Sequence, residues 1–357
     1  MEHYKLIKPI GKGAFGNVTL GVHKLTGRHV AVKAIEKENL KDEFSKRKVL
    51  REIYILKKMR HTNIIRLLEV FENPKQVLIV MEHAGGGDLL HYVKKKKYLK
   101  EEEARPIFKQ IVYGLAHINS RNVLHRDIKL DNILLDNDGC VKICDFGVSK
   151  IIDKNKLIND QCGTPAYIAP EIISNLGYKG FYVDLWSLGV LLYAMLCGTV
   201  PFKASSMEEL HELIREGHFT YPVEISDEAK GLINGLLKIA PRERLSIPEI
   251  LSHPWFNNTE EQFDEDDYYK PKFEATKEQP TINALCIENL YFPSKHHVKL
   301  LYKDYCYIAN DFYTHHIDDE IVRIVETYGY PKEEIMQSLT QGQINHATAS
   351  YNLLELA

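Results

Sequence analysis

Residues 125–132 read HRDIKLDN, and this segment carries much of the information about the fold. It contains a carboxylate at Asp127, a cation at Lys129 and an amide oxygen at Asn132. Together these side chains supply a proton acceptor, a group that stabilises phosphate and a hard oxygen ligand for a metal ion. We interpret the segment as a loop between short strands that handles phosphate.

Two more motifs follow this loop. Residues 145–147 read DFG directly after the apolar run VKIC, and residues 169–171 read APE. Magnesium binds carboxylates together with substrate phosphates, so Asp145 is a candidate magnesium ligand.

A glycine-rich segment lies near the N-terminus, where residues 11–18 read GKGAFGNV. Glycines let a strand–turn–strand unit approach phosphates without side chains in the way. The spacing GxGxxG is weak evidence by itself. Strand-like residues follow it, which disfavours a dinucleotide-binding fold because that fold needs a helix next.

A lysine stands within the apolar strand pattern of residues 29–35, HVAVKAI. A charged side chain in such a setting has to find an anion or lose its charge, so Lys33 is a candidate phosphate ligand. A lysine on an edge strand is the alternative interpretation. Helical spacing over residues 43–59 supplies Glu52 as a candidate partner.

These five motifs, in this order, resemble the signature set of the eukaryotic protein kinase family. The resemblance covers residues 4–256. It implies an α+β, two-lobed fold, with a β-rich N-lobe at residues 1–84 and a helical C-lobe at residues 85–256. It also implies ATP and Mg²⁺ as cofactors.

The resemblance implies roles for single residues. Lys33 would hold the α- and β-phosphates of ATP and pair with Glu52. Asp127 would orient the substrate hydroxyl and accept its proton, with Lys129 as a further catalytic residue. The expected magnesium ligands are Asn132 and Asp145.

The same resemblance places the nucleotide between the lobes. The hinge after Met81 would offer the Glu82 carbonyl and the backbone of Ala84, and Asp88 would bond the ribose or a basic substrate residue. The adenine would lie between Ile10, Val18, Ala31 and Leu134. The phosphates would lie under Gly11, Lys12, Gly13, Ala14, Phe15 and Gly16.

Two features are similar to serine/threonine kinases rather than tyrosine kinases: Lys129, and the segment GTPAYIAPE at residues 163–171. Asp88 and Asp131 stand where many kinases that prefer basic substrates carry acids. The expected substrates are therefore proteins with arginine or lysine a few residues before the acceptor hydroxyl.

Residues 191–202, LLYAMLCGTVPF, resemble the calcium/calmodulin-dependent group, especially its AMP-activated and sucrose-non-fermenting branch. After an expected linker at residues 257–316, residues 317–357 are similar to the three-helix, ubiquitin-associated-like (UBA-like) domain of that branch. There the domain is mostly autoinhibitory, so ubiquitin is not an expected partner. A generic helical extension is the alternative, and the branch also implies regulatory subunits as partners.

The activation loop departs from that branch. It reads INDQCGT at residues 158–164, with Asp160 where the branch carries a phosphorylated threonine. We expect Asp160 to pair with Arg126 and partly replace a phosphate, although a carboxylate carries less charge. A solvent-facing loop residue is the alternative. Thr164 is the third residue that we expect to be regulatory.

Bulk properties exclude some classes of protein. The formal net charge of −3 over 357 residues indicates neither a nucleic-acid nor a membrane partner. The six cysteines form no CxxC pair, and the N-terminus has no signal-peptide pattern, so we expect a cytoplasmic or nuclear protein. A pseudokinase scaffold and a ubiquitin-binding adaptor are the rival functions.

Overall fold

The computed structural model describes residues 3–13, 16–153, 157–174, 177–178, 180–257 and 317–356. Two expected phosphate-loop residues, Ala14 and Phe15, lie outside these ranges, as does almost all of the expected linker at residues 257–316. None of the described helices is both long and apolar enough to cross a bilayer.

A five-stranded antiparallel sheet, in the order β1-β2-β3-β5-β4, forms the small lobe. Residues 77–81 of this sheet are apolar without interruption because both faces are covered: Val77 and Ile79 join the main core, and Leu78 and Val80 join a second apolar cluster. The strands are β1 (Tyr4–Lys12), β2 (Asn17–His23), β3 (His29–Glu36), β4 (Leu67–Glu72) and β5 (Gln76–Glu82).

Helix α1 (Glu43–Lys58) is the helix of the small lobe. It starts at Asp42, whose side chain accepts a hydrogen bond from the Ser45 N–H at 2.8 Å and so satisfies one free donor of the first turn. The helix ends one residue before the predicted boundary at Met59.

The large lobe is helical, as predicted. In its helix at residues 182–197, every residue except Tyr182 is buried. Its helices are α2 (Leu89–Lys96), α3 (Glu101–Ser120), α4 (Pro170–Ile173), α5 (Tyr182–Cys197), α6 (Met207–Glu216), α7 (Asp227–Leu236), α8 (Ile247–Ser252) and α9 (Pro254–Asn257).

Short strands between the lobes carry the loops with the HRD and DFG motifs. One sheet has the order β6-β8-β9, and a second pairs β10 with β7. These strands are β6 (Gly87–Asp88), β7 (Val123–Leu124), β8 (Ile133–Leu135), β9 (Val141–Ile143) and β10 (Lys150–Ile151). The two-lobed kinase fold is therefore confirmed.

Three C-terminal helices, α10 (Asp319–Thr327), α11 (Lys332–Thr340) and α12 (His346–Glu355), form a unit with its own small core. Ala347, Tyr351 and Leu354 of α12 contribute to this core. Another face of α12 packs on β4, where Ala349 and Leu353 join an apolar cluster of the small-lobe sheet.

Candidate active site

A buried ion pair connects the sheet of the small lobe to helix α1. Lys33 lies on β3 and Glu52 on α1, and Lys33 Nζ donates to Glu52 Oε1 at 2.5 Å. Both residues are almost fully buried, so each charge needs the other. Burial alone would lower the pKa of Lys33, but the carboxylates of Glu52 and Asp145 outweigh it and raise that pKa. The pair holds a lysine cation at the cleft between the lobes.

The HRDIKLDN loop brings Asp127 together with three polar side chains. The Thr164 hydroxyl donates to Asp127 Oδ1 at 2.7 Å, and Asn132 Nδ2 donates to Asp127 Oδ2 at 2.8 Å. Lys129 Nζ lies 3.0 Å from Asp127 Oδ2 and donates to the Thr164 hydroxyl at 2.7 Å. Thr164, which the sequence placed among the regulatory residues, lies in this centre.

These contacts keep Asp127 ionised. Burial would raise the pKa of Asp127, but hydrogen bonds from Thr164 and Lys129 outweigh burial and lower it. An ionised carboxylate beside a hydroxyl can accept that hydroxyl's proton, which is the chemistry expected of Asp127.

A buried aspartate holds the backbone of this loop. The Asp184 carboxylate, on α5, accepts hydrogen bonds from the backbone N–H groups of His125 at 2.9 Å and Arg126 at 2.8 Å. Arg126 has a φ of 67° and Asp145 a φ of 62°, in the left-handed region that non-glycine residues rarely adopt. Such backbone persists where surrounding contacts enforce it, and it is common at functional sites.

The residues present fit a magnesium ion that shares its ligands with phosphates. The Asn132 amide nitrogen is engaged with Asp127, which leaves the Asn132 amide oxygen as an acceptor, and Asp145 adds a carboxylate. No three His, Cys, Asp or Glu side chains in the described part of the chain form a metal cluster. Magnesium bound by one or two protein oxygens needs further ligands from a nucleotide.

The predicted nucleotide residues line the cleft from the small lobe. Val18 pairs with Lys33, and Ala31 pairs with Met81, in the register of the sheet. A Cβ on Gly16 would lie 1.9 Å from the Ala34 carbonyl oxygen, so only glycine fits there. The other predicted cleft residues of the small lobe are Ile10, Gly11 and Lys12, exposed on β1, and Gly13, whose added Cβ would lie 3.3 Å from Lys33 Cε.

The predicted hinge residues lie at the other side of the cleft. Glu82 ends β5, and its buried carboxylate accepts from the Arg66 N–H at 2.6 Å and pairs with Lys142 at 2.9 Å. Asp88 caps α2 by accepting from the His91 N–H at 2.7 Å. Ala84 lies partly exposed just after β5, and Leu134 lies on β8, packed against the main core.

The activation loop places Asp160 beside two cationic side chains. Asp160 Oδ2 lies 2.7 Å from Lys150 Nζ and 3.4 Å from Arg126 Nη1. The Tyr178 hydroxyl bridges to the Asp160 carbonyl at 3.2 Å. The hydrogen bond from Lys150, followed by the charges of Lys150 and Arg126, lowers the pKa of Asp160. The sequence predicted Arg126 as a partner but gave no signal for Lys150.

Residues 4–256 match the family model for the protein kinase domain. The chain belongs to this family. The chain is 34% identical over 354 residues to the SNF1-related protein kinase catalytic subunit alpha KIN12 of Arabidopsis thaliana, which covers 99% of this chain and 64% of that protein. It is 35% identical to serine/threonine protein kinase OSK4 of rice over 99% of this chain and 62% of that protein.

A relative from mouse matches a shorter part. NUAK family SNF1-like kinase 1 is 41% identical over 256 residues, which is 72% of this chain and 39% of that protein. The kinase domain is thus of the serine/threonine class and related to SNF1-type kinases. The chain spans less than two thirds of the length of these curated relatives.

The kinase domain also contains an ion pair between the APE motif and the large lobe. Arg244 donates through Nη1 and Nη2 to the two oxygens of Glu171, each at 2.7 Å. The Arg244 side chain is fully buried. Two parallel hydrogen bonds fix the orientation of both side chains as well as their distance, so the pair anchors the APE motif to the large lobe.

Proposed function

We propose that the chain is an active serine/threonine protein kinase that transfers the γ-phosphate of ATP to protein hydroxyls. The observation that carries this proposal is the assembled centre of Asp127, Thr164 and Lys129, with the pair of Lys33 and Glu52 intact. These contacts support the proposal because catalysis of phosphoryl transfer depends on positioning and charge.

Each residue has a distinct task in this proposal. Lys33 binds the phosphates of ATP, and Asp127 orients the acceptor hydroxyl and takes its proton. Lys129, 3.0 Å from Asp127, stabilises negative charge on the transferred group. Asn132 and Asp145 would hold magnesium, which would supply positive charge to neutralise the phosphate oxygens.

The rival function, a pseudokinase scaffold, requires that part of this machinery is missing or displaced. The direct test is phosphate transfer from ATP to a serine peptide by the phosphatase-treated chain, with Asp127→Asn as the matched inactive variant. Transfer by the chain and a loss of at least about a hundredfold in the variant would support the proposal. No transfer by the unaltered chain would contradict it.

Basic substrates are the finer part of the proposal. Asp131 is exposed in the catalytic loop, and Asp88, which is partly exposed, caps α2 through one of its two carboxylate oxygens. A positional peptide library should show arginine or lysine preferred before the acceptor. A flat preference at those positions would contradict this part.

We further propose that the three C-terminal helices form a UBA-like domain that restrains the kinase. The alignment with the plant SNF1-related kinases, over 354 residues, extends through these helices. Glu355 pairs with Arg66 at 2.7 Å, and the Arg66 N–H in turn bonds the hinge residue Glu82 at 2.6 Å. Through Arg66, the C-terminal unit is therefore in contact with the hinge, where a change in docking can alter the angle between the lobes.

Protein substrates and regulatory subunits are the proposed partners, in the cytoplasm or the nucleus. Ubiquitin, nucleic acid and membranes are not among them. When ubiquitin is titrated into the full chain, we expect no saturable change in the spectroscopic signal of the chain. Saturable binding at micromolar concentration would favour the adaptor function instead.

A further inference from the structure

Helix α9, the last helix of the kinase domain, packs on one face of α3. The indole N–H of Trp255 donates to Glu101 at 2.7 Å, and the Phe256 ring contacts the Tyr113 ring with centroids 6.0 Å apart. Trp255 and Phe256 are both buried, so this end of the kinase domain is fixed on α3. The chain therefore leaves the domain, after Asn257, at a defined place beside α3.

Two cations of α3 lie beside these rings. The Arg105 guanidinium lies 5.1 Å from the centroid of the Trp255 ring, and Arg105 Nε donates to the Trp255 carbonyl at 2.8 Å. Lys109 Nζ lies 5.4 Å from the centroid of the Phe256 ring. Arg105 and Lys109 are four positions apart on one helix, so their like charges are neighbours and repel each other. We call these two residues the α3 cation pair.

The described residues do not neutralise the α3 cation pair. Within the described ranges, neither Arg105 nor Lys109 forms an ion pair with a carboxylate. Glu101, one turn before Arg105, directs its oxygens to the Ser226 N–H and hydroxyl and to the Trp255 indole. Burial and the charge of Arg105 lower the pKa of Lys109. An anion at this surface would remove the repulsion between the two cations.

The chain that follows α9 is strongly acidic. Residues 260–267 read EEQFDEDD, which is six carboxylates in eight positions, and the first cation after them is Lys270. A run of like charges cannot neutralise itself, and such runs commonly bind surfaces of opposite charge. These residues, which we call the acidic segment, lie outside the described ranges.

The length of chain after Asn257 limits where the acidic segment can bind. An extended chain spans at most about 3.5 Å per residue, so Glu260 lies within about 10 Å of Asn257 and Asp267 within about 35 Å. Arg105 and Lys109 flank the two residues that precede Asn257. The first carboxylates are therefore tethered next to the α3 cation pair, at a high effective concentration.

We propose that the acidic segment, residues 260–267, binds in cis to the α3 cation pair of Arg105 and Lys109. Its carboxylates supply the counter-charge that the described residues lack, and the start of the linker is thereby anchored to the large lobe. This interaction does not depend on whether the C-terminal unit restrains the kinase.

The direction of α3 gives this anchor a structural consequence. The helix has 20 residues and is about 30 Å long. Near its other end, the His117 ring lies 5.1 Å from the His61 ring, next to Arg60, which pairs with Glu355 of α12. A segment bound along α3 therefore leads from the end of the kinase domain toward the place where the C-terminal unit docks.

The exposed lysines at the end of α2 are the rival surface. Lys94, Lys95 and Lys97 are exposed and also carry positive charge. The Leu99 N–H that follows them donates to the Met195 carbonyl at 2.8 Å, which fixes this loop against the end of α5. These lysines have no contact with the rings of α9 among the described residues, so the tether favours the α3 cation pair.

The first test maps the contacts of the acidic segment in the full chain with a water-soluble carbodiimide, which joins a carboxylate directly to a neighbouring lysine. Mass spectrometry should find Lys109 joined to residues 260–267 within one chain. The yield should fall by about fivefold in 0.5 M NaCl, where the screening length is roughly 4 Å. An acidic segment that is not joined to Lys109 at low salt would overturn the proposal, whether it is joined to the α2 lysines, to a second chain or to no lysine.

The second test measures how fast a glutamate-specific protease cleaves the full chain after Glu260 and Glu261. Lys109→Glu reverses one charge of the α3 cation pair and should speed this cleavage by about threefold or more, since exposed ion pairs contribute free energies of this size. Lys109→Gln, which only removes the charge, should give an intermediate rate. Lys94→Glu makes the same change of charge on α2 and is the matched control, with a rate like that of the unaltered chain.

Thermal melts followed by circular dichroism show whether each variant remains folded. Equal cleavage rates in Lys109→Glu and Lys94→Glu, with unchanged melting temperatures, would contradict the proposal. If Lys109→Glu melts at a lower temperature, the comparison of Lys109→Gln with the unaltered chain decides in the same way.

Discussion

At the residue scale, the catalytic centre depends on hydroxyl and ammonium groups that few sequence arguments would bring together. Thr164 lies 37 positions after Asp127, yet its hydroxyl is 2.7 Å from that carboxylate and also accepts from Lys129. The Thr164 hydroxyl thus connects Asp127 to Lys129, and its hydrogen bond helps to lower the pKa of Asp127 against the effect of burial.

Thr164→Ala should reduce kcat by about tenfold or more, because it removes one hydrogen bond to Asp127 and frees Lys129. The pKa of Asp127 should rise toward its ordinary value, so the acid limb of kcat/KM should move to higher pH. Thr164→Ser keeps the hydroxyl and serves as the control. A pH profile for the alanine variant that matches that of the unaltered chain would contradict the role of Thr164.

Asp160 is the second residue whose effect can be measured alone. Its carboxylate links Lys150 and Arg126, but its side chain is 54% exposed, so solvent screens the pairs. We expect Asp160→Ala to lower the kcat of phosphate-free protein by about three- to tenfold. Asp160→Glu should retain most of the activity. Unchanged turnover in Asp160→Ala would show that the loop is ordered without this carboxylate.

At the scale of elements, buried ion pairs tie helices and loops to each other. Glu52 ties α1 to β3, and Arg244 ties the segment before α8 to the APE motif through Glu171. Each pair places opposite charges where water is excluded, so loss of one partner leaves the other without solvation.

Arg244→Met should lower the free energy of unfolding by about 3 kcal/mol, because Glu171, whose side chain is only 13% exposed, would lose its partner in a site largely shielded from water. Arg242→Met, at an exposed position two residues earlier, should change it by less than about 0.5 kcal/mol. Urea denaturation of both variants measures the difference. Equal stability of the two variants would show that the forked pair contributes little.

At the scale of the whole molecule, one helix connects the C-terminal unit to the back of the small lobe. Contact through Ala349 and Leu353 covers apolar sheet residues, while Glu355 holds Arg60 and Arg66. Arg66 in turn bonds Glu82 at the end of β5, so a continuous path of contacts leads from the docked helix to the predicted hinge.

Leu353→Asp should therefore raise kcat/KM by about fivefold or more if docking restrains the kinase, since coupling between sites is commonly of that size. Leu353 contributes to the docking surface and not to the core of the three-helix unit, so that unit should stay folded. Leu356→Asp, at an exposed position of the same C-terminal segment, is the control. An unchanged or reduced rate in Leu353→Asp, with intact helical circular dichroism, would contradict restraint.

Much of the fold followed from patterns within short segments. The lysine of β3, the helix at residues 43–59 with Glu52 on its buried face, and the loops HRDIKLDN and DFG were all predictable. Each depends on local periodicity or on a motif whose residues are close in the chain. The identity of Asp160 as an anion in place of a threonine was likewise visible in the sequence.

Contacts between distant segments were decided by tertiary structure. Lys150 beside Asp160, Thr164 against Asp127, and above all His346 against His23, 323 positions away, leave no local pattern. A sequence periodicity reports which face of an element is apolar, but not which other element covers it. Helix α12 has two apolar faces for this reason: Ala347 and Tyr351 pack within the C-terminal unit, while Ala349 and Leu353 pack on the small-lobe sheet.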